Sequence, residues 1–180
     1  TGGSDQEDDA SLRSRILESY QRLPNGANAA WYEQTAMGHE GVAAARAVGR
    51  ARGIGTVDVY IATAAGLPDG TLLAAVQADL QERREIAVDV QVKAPAAVEV
   101  DVSAELAVRE GADFSAAKAA AEQALAGFFS GRRLGGPVLL AELGDLLYHV
   151  EGVENYRLLA PAADLAAEDG TLPMLGQVTV

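Results

Sequence analysis

Cysteine is absent from the 180 residues, which excludes a disulfide framework, a thiolate metal site and a cysteine nucleophile. Histidine occurs only twice, as His39 and His149, too few for a histidine-built metal centre. Lysine is equally scarce (Lys93 and Lys118), so the 14 basic residues are mostly arginine. Against 26 acidic residues they leave a net charge of -12 and a pI of about 4.5. Such a surface repels phosphate backbones and argues against nucleic acid as a partner. Aromatics make up only 5%, too sparse for a base-stacking platform. No apolar run reaches the roughly 18 residues of a membrane span, and no segment reads as a signal peptide. The opening Thr1-Gly2-Gly3-Ser4 carries no initiator Met, so the chain is expected to be a fragment or a processed product.

What is present is an alanine-rich chain (36 Ala, 49% hydrophobic) long enough to bury a core without a metal or disulfide staple. Residues 1–10 are polar and acidic and are expected to form a flexible lead-in. Asp8, Asp9 and Ser11 offer caps for a helix in which Leu12, Ile16 and Tyr20 recur at helical spacing, stopped by Pro24-Asn25-Gly26. Asn28 can cap a second helix with Trp31, Tyr32, Thr35 and Ala36 along one side. Strands are expected over 42–50 and 56–62, joined by a hairpin loop at 51–55. In the second, Val57, Val59 and Ile61 alternate with Thr56, Asp58 and Tyr60, predicting one apolar and one polar face.

Leu67-Pro68-Asp69-Gly70 opens a helix to about Arg84 that turns Leu72, Leu73, Val76 and Leu80 to a core, and a strand follows at 87–92. Ala94-Pro95-Ala96 is the best boundary, dividing a first module, 11–94, from a second, 95–180. There Val98, Val100 and Val102 alternate with Glu99, Asp101 and Ser103 in a long strand with one wet face. Helices over 115–129 and 139–150, a strand at 153–159 and a last strand at 177–180 complete the pattern. Glu40-Gly41-Val42 echoes Glu151-Gly152-Val153, each after a helix, and each copy is followed by a Gly-led strand (Gly55-Thr56-Val57 and Gly176-Gln177-Val178). The pattern predicts an α+β fold of two small related modules, each with helices on one face of a largely antiparallel sheet.

Catalytic and ligand-binding motifs are wanting. Gly53-Ile54-Gly55 precedes a strand, whereas a dinucleotide loop follows one, so it reads as a turn. None of the seven serines sits in a Gly-x-Ser-x-Gly elbow. Asp145 lies one turn before His149 and suits a capping pair better than half a metal site. The paired carboxylates, such as Glu99 and Asp101, fall on a face expected to be solvated. No cofactor, metal or catalytic residue is assigned. Candidate interface residues are the loop-tip arginines Arg50, Arg52, Arg83, Arg84, Arg132 and Arg133, with Trp31 and Phe129 as aromatic anchors.

One ordered string carries more than any motif. Leu12-Arg13-Ser14-Arg15-Ile16-Leu17 is followed by Pro24-Asn25-Gly26-Ala27-Asn28-Ala29-Ala30-Trp31-Tyr32 and by Gly41-Val42-Ala43-Ala44-Ala45-Arg46. Arg50-Ala51-Arg52-Gly53-Ile54-Gly55-Thr56-Val57-Asp58-Val59-Tyr60-Ile61, Leu80-Gln81-Glu82-Arg83-Arg84 and Val138-Leu139-Leu140-Ala141-Glu142-Leu143 continue it. In order and spacing, from about residue 5 to residue 180, this resembles the C-terminal part of the baseplate J-like family. The polar stretch Thr35-Ala36-Met37-Gly38-His39-Glu40 departs from the family's aliphatic pattern. The resemblance implies a non-catalytic virion component: a wedge module of a phage, prophage or contractile-injection tail baseplate, assembled in the bacterial cytoplasm. Its implied partners are other baseplate or tail proteins and copies of itself, with no nucleic acid, membrane or small-molecule substrate. Strand addition at an exposed edge such as 98–108 is one expected mode of contact. The rival reading is a small-ligand-binding or regulatory domain, which requires a concave pocket with convergent polar groups.

Overall fold

A computed structural model describes residues 28–180 continuously and, before them, Asp9, Leu12, Arg13, Ile16 and Leu17, which are helical. The remainder of the expected first helix, its Pro24-Asn25-Gly26 stop and the acidic lead-in lie outside the described residues.

Helix α1 (Ala29–Met37) starts where Asn28 Oδ1 accepts the Trp31 N–H at 2.9 Å, so the cap read from sequence is in place. Strands β1 (Ala44–Gly49) and β2 (Thr56–Ala62) follow as a hairpin. Asp69 caps helix α2 (Gly70–Arg83) through the Leu72 N–H at 2.7 Å, and β3 (Asp89–Lys93) returns alongside β2. The long β4 (Ala96–Val108) leads to α3 (Phe114–Phe128), capped by Asp113, then to a 3-10 turn at Gly131–Arg133. Helix α4 (Leu140–Tyr148), β5 (Val153–Ala160) and β6 (Thr171–Thr179) end the chain.

The strands form two three-stranded sheets, ordered β1-β2-β3 and β5-β4-β6. The α+β class and the two helix-plus-sheet modules match expectation. The sheets, however, are mixed: β1–β2 and β4–β5 are antiparallel, while β2–β3 and β4–β6 are parallel. Helix α2 is the crossover that returns β3 parallel to β2. In the second sheet the chain reverses after β5. Because β5 opposes β4, the next strand, laid on the other side of β4, must run parallel to it.

Each sheet has its own core. Val59, Ile61 and Val90 meet Tyr32 and Ala36 of α1 and Val76 and Leu80 of α2. Val102 and Ala104 meet Ala117, Ala121 and Leu125 of α3 and Leu143 and Leu147 of α4. All lie at the helical or strand periods that bury one face. The Glu-Gly-Val echo marks the same unit twice: Gly41 (φ 92°) leads from α1 to β1, and Gly152 (φ 84°) from α4 to β5. This left-handed conformation suits glycine, and each turn feeds an edge strand antiparallel to its central neighbour. The second half of the echo does not hold. Gly55 precedes β2, but Gly176 lies inside β6, which begins six residues earlier than expected. There the register slips between Val100 and Val102, and the Asp101 carboxylate occupies the space a Gly176 side chain would need, accepting the Gln177 N–H at 2.8 Å.

The modules meet at one corner. The Arg46 guanidinium donates to Asp169 Oδ1 at 2.8 Å, and the Gly131 N–H donates to the Ala64 carbonyl at 3.4 Å. Gly131 sits so close to the Thr63 backbone that an added Cβ would overlap its carbonyl oxygen and lie 3.2 Å from the Ala62 methyl.

Candidate docking surface

A charged cluster lies on the β2 face expected to be polar. Asp58 pairs with Gln91 in the parallel β2–β3 register, which sets Asp89 and Lys93 on the same face, two residues to either side. Arg52 folds down from the hairpin loop. Its Nε donates to Asp58 Oδ1 at 2.7 Å, Nη1 to the Asp89 carboxylate, and Nη2 to the Asp89 carbonyl at 3.0 Å. Lys93 Nζ donates to Asp58 Oδ2 at 2.5 Å. Only 3% of the Asp58 side chain is exposed. Burial alone would push its carboxyl up, but the Arg52 and Lys93 hydrogen bonds and charges outweigh that and hold it below the usual carboxylate range. The Asp58 and Asp89 carboxylates in turn raise the Arg52 guanidinium. Each carboxylate oxygen of Asp58 thus faces a cation, and the cluster braces the hairpin loop rather than offering a free acid or base.

Sequence reading did not single out Asp58, Asp89 or Lys93. One signal was available: Lys93 is one of two lysines in an arginine-rich chain. The pairing itself depended on the parallel register, which alternation within a single strand cannot reveal.

The arginines named from sequence divide by role. Arg50 and Arg132 are exposed. Arg83 is exposed beside Asp79, its partner one turn earlier at 2.8 Å. Arg52 belongs to the Asp58 cluster. Arg84 Nη1 donates to the carbonyls of Glu85, Ile86 and Val88, at 3.1, 3.2 and 2.6 Å. Arg133 bonds Glu142 at 2.8 Å and lies over the Phe128 ring at 3.7 Å from its centroid. Trp31 and Phe129 are both half-buried against their module cores, edge-to-face with Tyr32 and Phe128. The structure therefore does not bring the eight residues into one patch. Arg50, Arg52 and Arg84 cluster at one end of the first sheet, and Arg132 and Arg133 lie at the module corner.

His149 contacts Asp145 at 3.2 Å, the helix-end pair read from sequence, and His39 Nε2 lies 3.0 Å from Asp79. Among the described residues, no three His, Asp or Glu side chains gather as a metal site, and no helix is long and apolar enough to cross a membrane. A groove of about 280 Å³ beside α3 is lined by Ala112, Ala116, Ala117, Ala120, Gly152, Glu151 and Asp113. Asp113 is committed to its cap on Ser115 N–H at 2.9 Å.

Two family models match in succession. The Baseplate J-like central domain matches residues 24–104, and the Baseplate J-like protein C-terminal domain matches residues 100–180. The chain belongs to the baseplate J-like family. Its fold is also similar to a chain in the cryo-EM structure of the anti-feeding prophage (AFP) baseplate, 6-fold symmetrised, with a TM-score of 0.64 and 14% identity. That match covers 97% of this chain and 43% of the other, so this baseplate J-like chain spans less than half the length of its structural relative. No curated protein matches it.

Proposed function

We propose that this baseplate J-like chain is a structural, non-catalytic module of a phage-type tail baseplate, a wedge part of a virion, prophage particle or contractile injection system. The observation that carries this reading is the unbroken succession of two baseplate family matches over residues 24–180. The likeness to the AFP baseplate chain along 97% of the sequence supports it. The chemistry of the surface agrees. The nearly buried Asp58 carboxylate meets a cation on each oxygen, a state suited to bracing a loop and not to proton transfer.

Its partners are other baseplate or tail proteins and copies of itself, met after assembly begins in the bacterial cytoplasm. Modules 11–94 and 95–180 act as two tiles, with the exposed Arg50, Arg83 and Arg132 steering acidic neighbours into register. Mixing the chain with the tail proteins encoded beside it, and measuring mass by light scattering, tests this. A defined complex with at least one of them is expected. A persistent monomer with every one of them contradicts the reading.

A further inference from the structure

Each outer strand of the two sheets carries a device that closes its edge. On β1, the buried Glu33 carboxylate accepts the Ala47 N–H at 3.1 Å. On β3, Gln77 accepts from the Val92 N–H at 2.6 Å and donates to the Val90 carbonyl at 3.1 Å, the two bonds a neighbouring strand would make. On β5, Asn155 Oδ1 takes the Tyr156 N–H at 2.9 Å, and register shifts leave Glu154 and Leu159 without a direct partner. On β6, Pro173 brings no N–H, and the Thr171 carbonyl is taken by Gly135. The 98–108 edge expected to accept a foreign strand is no edge, because β4 is the central strand of its sheet. These are the means by which sheets avoid edge pairing, so contact with neighbours is made elsewhere.

Among the described residues, two large apolar side chains stand almost wholly in solvent. Ile54 is 95% exposed and Ile86 is 100% exposed. They occupy adjacent loops, joined where the Asp89 N–H donates to the Gly55 carbonyl at 2.8 Å. Arg52 braces one loop from below, and Arg84 bonds three carbonyls of the other. Scattered exposed hydrophobics need no explanation. A pair of β-branched residues on two mutually fastened loops is different, because little freedom remains to be lost when they bind. Around them Arg50, Arg52, Arg84 and Lys93 outnumber Asp58, Glu85 and Asp89, on a chain whose net charge is -12.

We infer that this tip is a docking plug. Ile54 and Ile86 enter an apolar socket on a different protein of the assembly, and carboxylates on the socket rim meet Arg50. The acidic remainder of the chain repels such a rim, which selects the tip as the point of entry. The inference rests on the proposed baseplate role.

The test uses assembled particles carrying the full protein, with a photo-crosslinking phenylalanine analogue at position 54 or 86. Both positions are expected to crosslink to one peptide of one partner, apolar and bearing Asp or Glu. Both being exposed, neither change disturbs folding. Particles that contain the labelled chain yet give no crosslink overturn the plug and leave the baseplate role intact. A crosslink to a second copy, or to a basic peptide, overturns the choice of partner. Absence of the chain from the particles overturns both. In a binding assay with the crosslinked partner, Ile54→Ser and Ile86→Ser are each expected to weaken affinity about tenfold. Unchanged affinity contradicts the plug.

Discussion

Asp58 receives Arg52 on one carboxylate oxygen, at 2.7 Å, and Lys93 on the other, at 2.5 Å. The pair of cations arrives from opposite directions in sequence, one from the β1–β2 hairpin loop and one from the end of β3. Asp58 therefore ties three segments of the first module together. Replacing it with Asn leaves two cations short of a partner. Because both retain some access to water, the loss is smaller than for a fully buried pair, and about 2 kcal/mol is expected in urea unfolding.

The pH dependence of that loss has a definite sign. Asp58 is held below its usual carboxylate value in the folded chain. Its contribution is therefore present above the unfolded value of about 3.9 and is lost as pH falls through the lower folded value. The stability gap between the parent and Asp58→Asn should stay constant from neutral pH to about pH 5 and close below about pH 4. A gap that persists undiminished in strong acid contradicts the assignment.

The module corner predicts opposite outcomes for two glycines. Gly131→Ala must push the Thr63 backbone aside and should cost about 1–3 kcal/mol. Gly127→Ala, in the last turn of α3 with nothing within 4 Å, should be neutral or gain up to about 1 kcal/mol. Thermal melting checks both. Equal melting temperatures for the two variants would show that the corner is not tightly packed.

Gln77 stands in for a strand along β3. Gln77→Ala should cost about 1–2 kcal/mol and, by uncovering the edge, raise the aggregated fraction seen by light scattering at equal concentration. A variant that is less stable but no more prone to associate would mean the glutamine serves stability alone.

Much of the fold was legible because local chemistry and tertiary structure agree. The bounds of β2 follow from strict alternation, and α1, α2 and α3 begin at Asn28, Asp69 and Asp113 as their capping chemistry requires. Strand β6 was expected only from residue 177, and its earlier part, 171–176, holds Pro173 and Gly176, which give no strand signal. An edge strand tolerates the first, and a bulge fitted to Asp101 uses the second. The polar face of β2 was expected from alternation but its burial was not, because an isolated strand cannot show that Lys93 lies diagonal to Asp58 or that Gly131 covers Ala62. Parallel pairing is a property of topology, not of composition. The arginines were visible as candidates, but not their division into structural ones (Arg52, Arg84, Arg133) and exposed ones.

That division can be measured. Arg50→Glu and Arg132→Glu should change stability by less than about 0.5 kcal/mol. In complexes with tail proteins they should slow association and flatten its salt dependence. Arg52→Glu, by contrast, should destabilise the chain itself. Similar unfolding curves for all three variants would erase the distinction.

The central claim is that this chain is built into a tail baseplate, and its most direct measurement is where the protein sits in a finished particle. A small electron-dense tag on the full protein, imaged by electron microscopy of particles from its own host, should appear at the baseplate end of the tail. A strain lacking the protein should yield no complete tails. Normal tails from that strain, or a tag found only off the particles, would contradict the account.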